Sequence, residues 1–308
     1  MTATPRFSIV IPTYNRPAQL ARCIESIGKL GAMRDCVEII VVNDGGVAPD
    51  SMQLIELARG IDLVVISQSQ RGAGAARNTG AAKARGTHLA FLDDDCLLPA
   101  DWGSTLSSAV DTAGDCMIGG LTLNHLEANR LSEASQTLVD YVYSYYNDPA
   151  ANRTPLFTSN NMIAPAMTFR ALGGFDESFR TAEDRELCRR WHERGLRIVF
   201  DPALVVLHAH SLSFPSLLRQ HFSYGRGALP YWEKKSAGLR ELKVEPLRFY
   251  VGMLSFPFKA RRRHATLLSL LIGVTQVANA AGFAFAAAQR LRLRQRPPVL
   301  REKAESAL

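Results

Sequence analysis

The sequence predicts an α/β domain built on a mostly parallel β-sheet. Short runs rich in Val, Ile and Leu, typical of buried strands, alternate with segments of helical spacing or composition. Strand–helix–strand alternation produces a parallel sheet with right-handed crossovers. The predicted strands cover residues 7–12, 37–42, 61–66 and 88–92, and the predicted helices between them cover residues 17–30, 49–59 and 73–85.

After residue 113 the pattern becomes mixed rather than strictly alternating. We therefore expect a second half in which strands and helices follow no simple βαβ order. Its predicted strands cover residues 117–123, 162–168, 197–200 and 204–207, and its predicted helices cover residues 131–146, 183–193 and 213–224.

The composition is that of a soluble globular protein with a basic surplus. With 308 residues, 47% apolar and 21% charged, the chain can bury a core without disulfides. The formal charge of +7 favours acidic partners such as phosphates or a membrane surface. Neither the pattern of an RNA-recognition motif nor zinc-finger spacing occurs, so nucleic acid is not an expected partner.

The cysteines and the N-terminus predict a cytoplasmic protein. The five cysteines are scattered and include no C-x-x-C pair, which indicates reduced thiols rather than a disulfide framework. The chain enters a strand-like run at Phe7 without the basic region and apolar core of a signal peptide. We therefore do not expect export.

One apolar segment, residues 267–288, is long enough to span a bilayer. Polar residues interrupt it and arginines flank it on both sides, so the charges do not set an orientation. Three interpretations stay open: a helix lying on an anionic membrane surface, a helix packed on the catalytic domain, and a true span.

Three adjacent carboxylates, Asp93, Asp94 and Asp95, directly follow a predicted buried strand. Carboxylates this close repel one another, and burying them together is costly without a cation. A hard divalent ion bound by one or two of them and by substrate phosphates would relieve the repulsion. The alternative is a solvated acidic loop, which the apolar flanks disfavour.

Two further clusters follow predicted strands at the same edge of the sheet. Asp44 precedes two glycines, a pattern that also fits an ordinary turn. Residues 71–80 superficially resemble a dinucleotide fingerprint, but Arg77 occupies the position of the third glycine, so an NAD site is rejected. A helix start of small residues beside Arg71 and Arg77 would still suit a nucleotide or its phosphates.

The second half contains two more candidates. Glu183 and Asp184 begin a predicted helix, where the helix dipole stabilises acidic side chains. Alternatively, one of them is a general base that takes a proton from an acceptor hydroxyl. His208 ends an apolar run, and His210 follows two residues later. His208 is either structural or a metal ligand contributed from across the site.

In their order, these motifs resemble family 2 glycosyltransferases, a group of inverting enzymes with the GT-A fold. The resemblance covers about residues 6–227. Asn43 departs from the family pattern, in which an aspartate is common at that position. The motifs are residues 8–16 (SIVIPTYNR), 42–46 (VNDGG), 75–80 (AARNTG), 91–95 (FLDDD), 173–177 (GGFDE), Glu183-Asp184 and His208.

The resemblance implies a GT-A domain over residues 1–227, with a Rossmann-like nucleotide-sugar-binding half over 1–113 and an acceptor half over 114–227. Residues 228–308 would form a basic helical extension. Asp184 is the implied catalytic base, with Glu183 beside it. The implied ligands of Mg²⁺ or Mn²⁺ are Asp95, Asp93 and His208. The implied nucleotide-binding residues are Pro12, Thr13, Tyr14, Asn15, Asp44, Arg71, Arg77, Asp93 and Asp94.

The resemblance also implies transfer of one sugar from a nucleotide-diphosphate donor, UDP-linked on family grounds, to a hydroxyl acceptor. The Q-x-x-R-W motif of processive members is absent, since residues 219–227 read RQHFSYGRG. A basic C-terminal region with an apolar helix fits a polyprenyl-linked acceptor in polysaccharide or glycolipid assembly, at the cytoplasmic face of the inner membrane. The alternatives are a nucleotidyltransferase and an inactive nucleotide-sugar-binding scaffold.

Overall fold

The protein, described from a computed structural model over residues 4–151, 153–235 and 245–294, divides into two compact units. The first unit ends at Ser211 and the second begins at Leu212. The domain boundary expected after residue 227 stays a prediction; one continuous helix, Phe214–Lys235, runs through that position.

The first unit is organised by an eight-stranded sheet in the order β3-β2-β1-β4-β7-β6-β8-β5. Strand β1 pairs in parallel with β2 and β4, and β2 pairs in parallel with β3. Strand β7 is antiparallel to β4 and β6, whereas β6 and β8 are parallel. The strands are β1 Phe7–Thr13, β2 Val37–Asn43, β3 Asp62–Ser67, β4 His88–Phe91, β5 Cys96–Leu97, β6 Met117–Asn124, β7 Met162–Pro165 and β8 Ile198–His208.

Helices cover the sheet in the first unit and build the second. The expected α/β fold, with a parallel first half, a mixed second half and a C-terminal helical extension, is confirmed. The first unit contains α1 Pro17–Ile27, α2 Ser51–Leu57, α3 Ala73–Lys83, α4 Trp102–Ala113, α5 Arg130–Tyr146, α6 Ala166–Ala171 and α7 Glu183–Glu193. The second contains α8 Phe214–Lys235, α9 Leu247–Lys259 and α10 Ala265–Arg294.

Two sequence-based assignments in the second half are wrong. The strand expected over residues 162–168 ends at Pro165 because its partner β4 begins at His88: Ala166 N–H still donates to Thr87 O in the register of the β4–β7 pair, and Ala166–Ala171 then form α6. The strand pair expected over residues 197–207 is one strand, β8, because its irregular middle is absorbed as a bulge against β6.

A close approach of α3 to the sheet fixes the first half of the unit. A Cβ at Gly80 would lie 2.4 Å from Val10 Cγ1, so a glycine is required for the helix to pack against β1 at this distance. The N-terminus of α3 lies at the edge where β1 and β2 end. The same packing therefore positions the first turns of α3, including Arg77, over that edge.

Candidate active site

The polar clusters that follow β1, β2 and β4 meet at one edge of the sheet. Because these three strands are neighbours and parallel, their carboxyl ends lie side by side, which is where ligands bind in open α/β sheets. Thr13 Oγ1 donates a 2.7 Å hydrogen bond to Asp94 Oδ2, joining the end of β1 to the acidic loop after β4. The expected meeting of these clusters is observed.

Asp95 is the buried centre of the acidic loop. His208 Nε2 lies 3.1 Å from Asp95 Oδ1, and His210 Nδ1 lies 3.1 Å from Asp95 Oδ2. Burial alone would raise the pKa of Asp95, but the hydrogen bonds with His208 and His210 outweigh burial and hold it well below its usual range. Burial opposes a charge on His208, yet Asp95 raises the pKa of this imidazole.

Strand pairing delivers His208 to this position. In the antiparallel pair of β5 and β8, Cys96 lies opposite His208, so the histidine arrives beside the residue that precedes Cys96. Ala209 N–H also donates to Asp95 O at 2.8 Å. Sequence reasoning noted His210 without giving it a role; the spacing of two histidines at i and i+2 in extended chain, which places both side chains on one face, is the signal that could have found it.

Asp95 and His208 fit a divalent metal ion. Their nearest donor atoms are 3.1 Å apart, close to the separation of about 3 Å expected for adjacent ligands in an octahedral site with bonds of about 2.1 Å. Cys96 Sγ also lies within 4.8 Å of both donors. Its thiol is fully buried with a raised pKa, and sulfur is a poor ligand for hard ions, so Cys96 does not suit Mg²⁺ or Mn²⁺.

Asp94 and Asp95 share a cation from the loop after β1. Arg16 Nη1 lies 3.2 Å from Asp94 Oδ1 and 3.1 Å from Asp95 Oδ2. Burial raises the pKa of Asp94 to about 6, although Arg16 and Thr13 counteract it. Arg16 therefore relieves part of the repulsion in the acidic loop, a role that its place in the sequence motif did not reveal.

Asp44 organises the loop before α3. Its Oδ1 accepts hydrogen bonds from Gln68 Nε2 at 2.8 Å and Arg71 N–H at 2.9 Å, and its Oδ2 accepts one from Gly72 N–H at 2.7 Å. Asp44 is buried, and protein donors already engage both of its oxygens. The geometry thus gives Asp44 a structural task at the expected nucleoside site.

The remaining residues expected at the nucleoside line the neighbouring loop. Pro12 lies in β1, and Tyr14 is 43% exposed at its end. Asn15 adopts a left-handed backbone conformation (φ 54°), and its Oδ1 accepts a 2.9 Å hydrogen bond from Val47 N–H. This bond ties the loop after β1 to the loop after β2. Arg71, half-exposed at the same edge, pairs with Glu177.

Arg77 is a buried bridge between the two halves of the first unit. Its Nη2 lies 2.6 Å from Asp93 Oδ1 and its Nη1 lies 2.9 Å from Glu183 Oε1, while its guanidinium lies over the Phe175 ring. Arg77 is 3% exposed. The structure therefore commits Arg77 to two carboxylates, and it pairs Asp93 with Arg77 rather than grouping it with Asp95 and His208.

Asp184 lies in the first turn of α7, next to Glu183. Burial and the Glu183 carboxylate raise the pKa of Asp184 to about 7, although Arg185 N–H donates a 2.7 Å hydrogen bond to its Oδ1. The preceding Ala182 has a φ of 70°, a conformation that is strained for a residue with a Cβ. A carboxylate with this pKa can accept a proton near neutral pH.

These features define the class of the protein. A parallel half ends in an acidic loop with a histidine pair, and a buried arginine connects that loop to an acidic pair in a mixed half. This is the organisation of a GT-A glycosyltransferase. A family model described as glycosyl transferase family 2 matches residues 8–171, and the chain belongs to that family. Glu183, Asp184 and His208 lie beyond the matched residues.

Similar proteins include further glycosyltransferases. Glycosyltransferase AglE of Haloferax volcanii is 26% identical over 267 residues, which cover 83% of this chain and 84% of the relative. The pre-mycofactocin glycosyltransferase of Mycobacterium tuberculosis is 26% identical over 227 residues, covering 72% of this chain but 47% of the relative. The chain thus spans about half the length of the second relative.

Solved structures share the fold. The mannosyltransferase PcManGT from Pyrobaculum calidifontis, in complex with GDP-Man and Mn²⁺, aligns with a TM-score of 0.58 at 19% identity, covering 99% of this chain and 80% of that protein. TarS 1-349 from S. aureus, in complex with UDP-GlcNAc, aligns with a TM-score of 0.56 at 14% identity, covering 93% and 92%. At these identities the likeness establishes the GT-A fold.

Proposed function

We propose that this glycosyltransferase moves a single sugar from a UDP-linked donor to a hydroxyl acceptor with inversion at the anomeric carbon. The observation that carries the proposal is the chain of ion pairs from Asp93 through Arg77 to Glu183. It links the acidic loop to the helix start where Asp184 has a pKa of about 7. These ion pairs support the proposal because they join the proposed donor site to the proposed proton acceptor.

Asp95 and His208 are the proposed metal ligands, for Mn²⁺ or Mg²⁺. The ion would neutralise the charge that develops on the departing nucleoside diphosphate. Its fit rests on the 3.1 Å spacing of the two donor atoms and on the oxygen and nitrogen chemistry that hard and borderline ions accept. Asp93, paired with Arg77, would act on the donor from beside this pair.

Asp184 is the proposed general base. It takes the proton from the acceptor hydroxyl as that oxygen attacks the face of the sugar opposite the leaving group, which gives inversion. The neighbouring Glu183 is held by Arg77 and keeps the pKa of Asp184 raised. A base whose pKa lies near the working pH is well matched to this task.

The nucleotide is proposed to bind across the loops after β1 and β2. Tyr14 and Arg71, both exposed at that edge, can contact the nucleoside and the diphosphate. Asp44 and Asn15 hold the two loops in place, and Asp94 supports them through Thr13. Two structural neighbours bind GDP-Man and UDP-GlcNAc, which supports a nucleotide-sugar donor.

A thermal-shift screen tests the donor site and identifies the nucleobase of the donor. UDP with Mn²⁺ is expected to raise the melting temperature by several degrees, because a ligand that binds only the folded state adds about 2.7 kcal/mol at about 100 times its Kd. GDP and dTDP, or UDP without metal, are expected to give smaller shifts.

Variants locate the site within the same screen. Asp95→Ala should lose the metal-dependent shift, while Asp111→Ala, at an exposed aspartate paired with Arg6, should keep it. A shift that survives in Asp95→Ala would remove this carboxylate from the metal site. Equal shifts for all nucleotides with and without Mn²⁺ would contradict the proposed donor site.

The pKa of Asp184 predicts the pH dependence of the reaction. Because the base acts in its ionised form, kcat/KM for UDP release from a UDP-sugar should rise about tenfold per pH unit below pH 7 and level off above it. Rates measured between about pH 5 and pH 8 check this, with the folded fraction monitored at each pH. A flat profile would separate Asp184 from the proton transfer.

The acceptor and location are proposed from the second unit. A basic, apolar helical region suits an acceptor carried on a polyprenyl lipid in polysaccharide or glycolipid assembly, at the cytoplasmic face of the inner membrane. In this proposal the first unit transfers the sugar, and the helical extension contacts the lipid that carries the acceptor.

A further inference from the structure

Helix α10 exposes a continuous apolar face. Its exposed positions recur at helical spacing, and its opposite side, including Leu268 and Ile272, is buried. Leu270 is 66% exposed and Val277 is 71% exposed. The face extends for about 27 Å at 1.5 Å per residue. Its members are Leu270, Val274, Val277, Ala281, Phe285 and Ala288.

Helix α9 continues this apolar surface. Val251 and Phe258 are 58% and 54% exposed, while Phe249 and Met253 on the other side are buried. The two helices are in contact, since Ser269 Oγ donates a 2.7 Å hydrogen bond to the carbonyl oxygen of Leu254. The residue Leu254 is itself exposed. Large exposed apolar patches in soluble proteins mark sites that bind a partner or a membrane.

Cations surround the apolar surface, which gives its charge complementarity. Four exposed basic residues occupy the end of α9 and the turn into α10, and Arg290 and Arg292 lie near the other end. Between residues 245 and 294 the sequence contains one acidic residue, Glu245. An apolar face bordered by Lys and Arg is the composition that anionic bilayers attract. The four residues are Lys259, Arg261, Arg262 and Arg263.

The packing of α8 on α10 indicates whether α10 lies on a membrane or spans it. Within the described residues, α10 is the helix long and apolar enough to cross a bilayer by length and composition. However, α8 packs on it so closely that a Cβ at Gly225 would lie 1.9 Å from Asn279 O, near the middle of the apolar stretch. A span would take the adjacent, exposed Arg226 into the hydrocarbon, at high cost.

We propose that α9 and α10 dock on an anionic lipid bilayer, with α10 in the plane of the surface. The apolar face defined above enters the boundary between headgroups and acyl chains, and the basic turn contacts lipid phosphates. The inference depends on the second unit alone. It makes the location given under the proposed function specific, and it is measured without donor or metal, so its failure would remove that location and leave the proposed sugar transfer standing.

Vesicle flotation of the full chain tests the docking. The protein should float with vesicles of equal parts phosphatidylglycerol and phosphatidylcholine, bind phosphatidylcholine alone weakly, and dissociate in high salt or carbonate. Neutralising Lys259, Arg261 and Arg263 to Gln should weaken binding about 100-fold, because each cation near an anionic surface contributes about 1 kcal/mol. The double variant Leu270→Gln, Val277→Gln should weaken it at least about tenfold.

Matched controls substitute exposed apolar and basic residues on the first unit. Met52→Gln with Met167→Gln, both more than 70% exposed, and Arg22→Gln with Arg194→Gln should leave flotation unchanged. A helix content and an unfolding midpoint close to those of the parent protein, measured without ligand by circular dichroism, confirm that each variant retains the fold. Carbonate-resistant association would overturn the in-plane arrangement in favour of a span. Absent vesicle binding would overturn the docking. Vesicle binding that neither variant changes, while both variants abolish a dimer seen by sedimentation, would assign the apolar surface to a second copy of the chain.

Discussion

Replacing Asp184 by Asn is expected to lower kcat for UDP release by about a hundred- to ten-thousandfold. The amide keeps the size of the side chain and can still accept the hydrogen bond from Arg185 N–H, but it cannot take a proton. Because Asp95 and His208 are untouched, the Mn²⁺-dependent thermal shift with UDP should remain. Steady-state kinetics and the thermal-shift measurement on the same preparation check the two halves of this prediction.

The stability of the same variant provides an independent control. The pKa of Asp184 rises on folding to about 7, from about 3.9 in the unfolded chain. The protonated carboxyl therefore contributes stability that is fully present below about pH 3.9 and is lost as the pH rises through about 7. Asp184→Asn should therefore become more stable relative to the parent protein between about pH 5 and pH 8. An inactive variant that is also less stable at pH 8 would indicate disruption rather than loss of a base.

Replacing Arg77 by Met is expected to reduce the free energy of unfolding by about 3–5 kcal/mol. The change leaves Asp93 and Glu183 without their shared cation, and removing one partner of a buried ion pair leaves an uncompensated charge. Asp93 can recover some solvation because its side chain is 32% exposed, so the lower end of this range is expected. Denaturant unfolding at neutral pH measures the difference.

Arg77→Met should also alter the reaction. The Arg77 cation lowers the pKa of Asp184, so its removal should move the midpoint of the pH–rate profile above 7. Arg6→Met is the matched control, because Arg6 pairs with the exposed Asp111 and such surface pairs contribute about 0–1 kcal/mol. If the two variants cost the same and the pH profile stays in place, Arg77 does not couple the acidic loop to the base.

Much of the fold was predictable because its signals are local. The strands before Asp44 and Asp93 are continuous apolar runs, and α7 begins at Glu183 as its acidic first turn indicates. Errors occurred where pairing overrode the local pattern. The irregular middle of β8 suggested two strands, but β6 pairs with both sides of it and makes one strand with a bulge.

The sequence by itself determined the order of the motifs, the parallel half of the sheet and the acidic loop, because each depends on neighbouring residues. The tertiary structure alone decided which side chains share charges. Arg77 and Glu183 are 106 positions apart, and Asp95 and His210 are 115 apart. Contacts over such separations depend on strand order and helix packing, and no local periodicity encodes them. Only the tertiary structure shows that Arg77 bridges Asp93 and Glu183 and that His210 lies at the acidic loop.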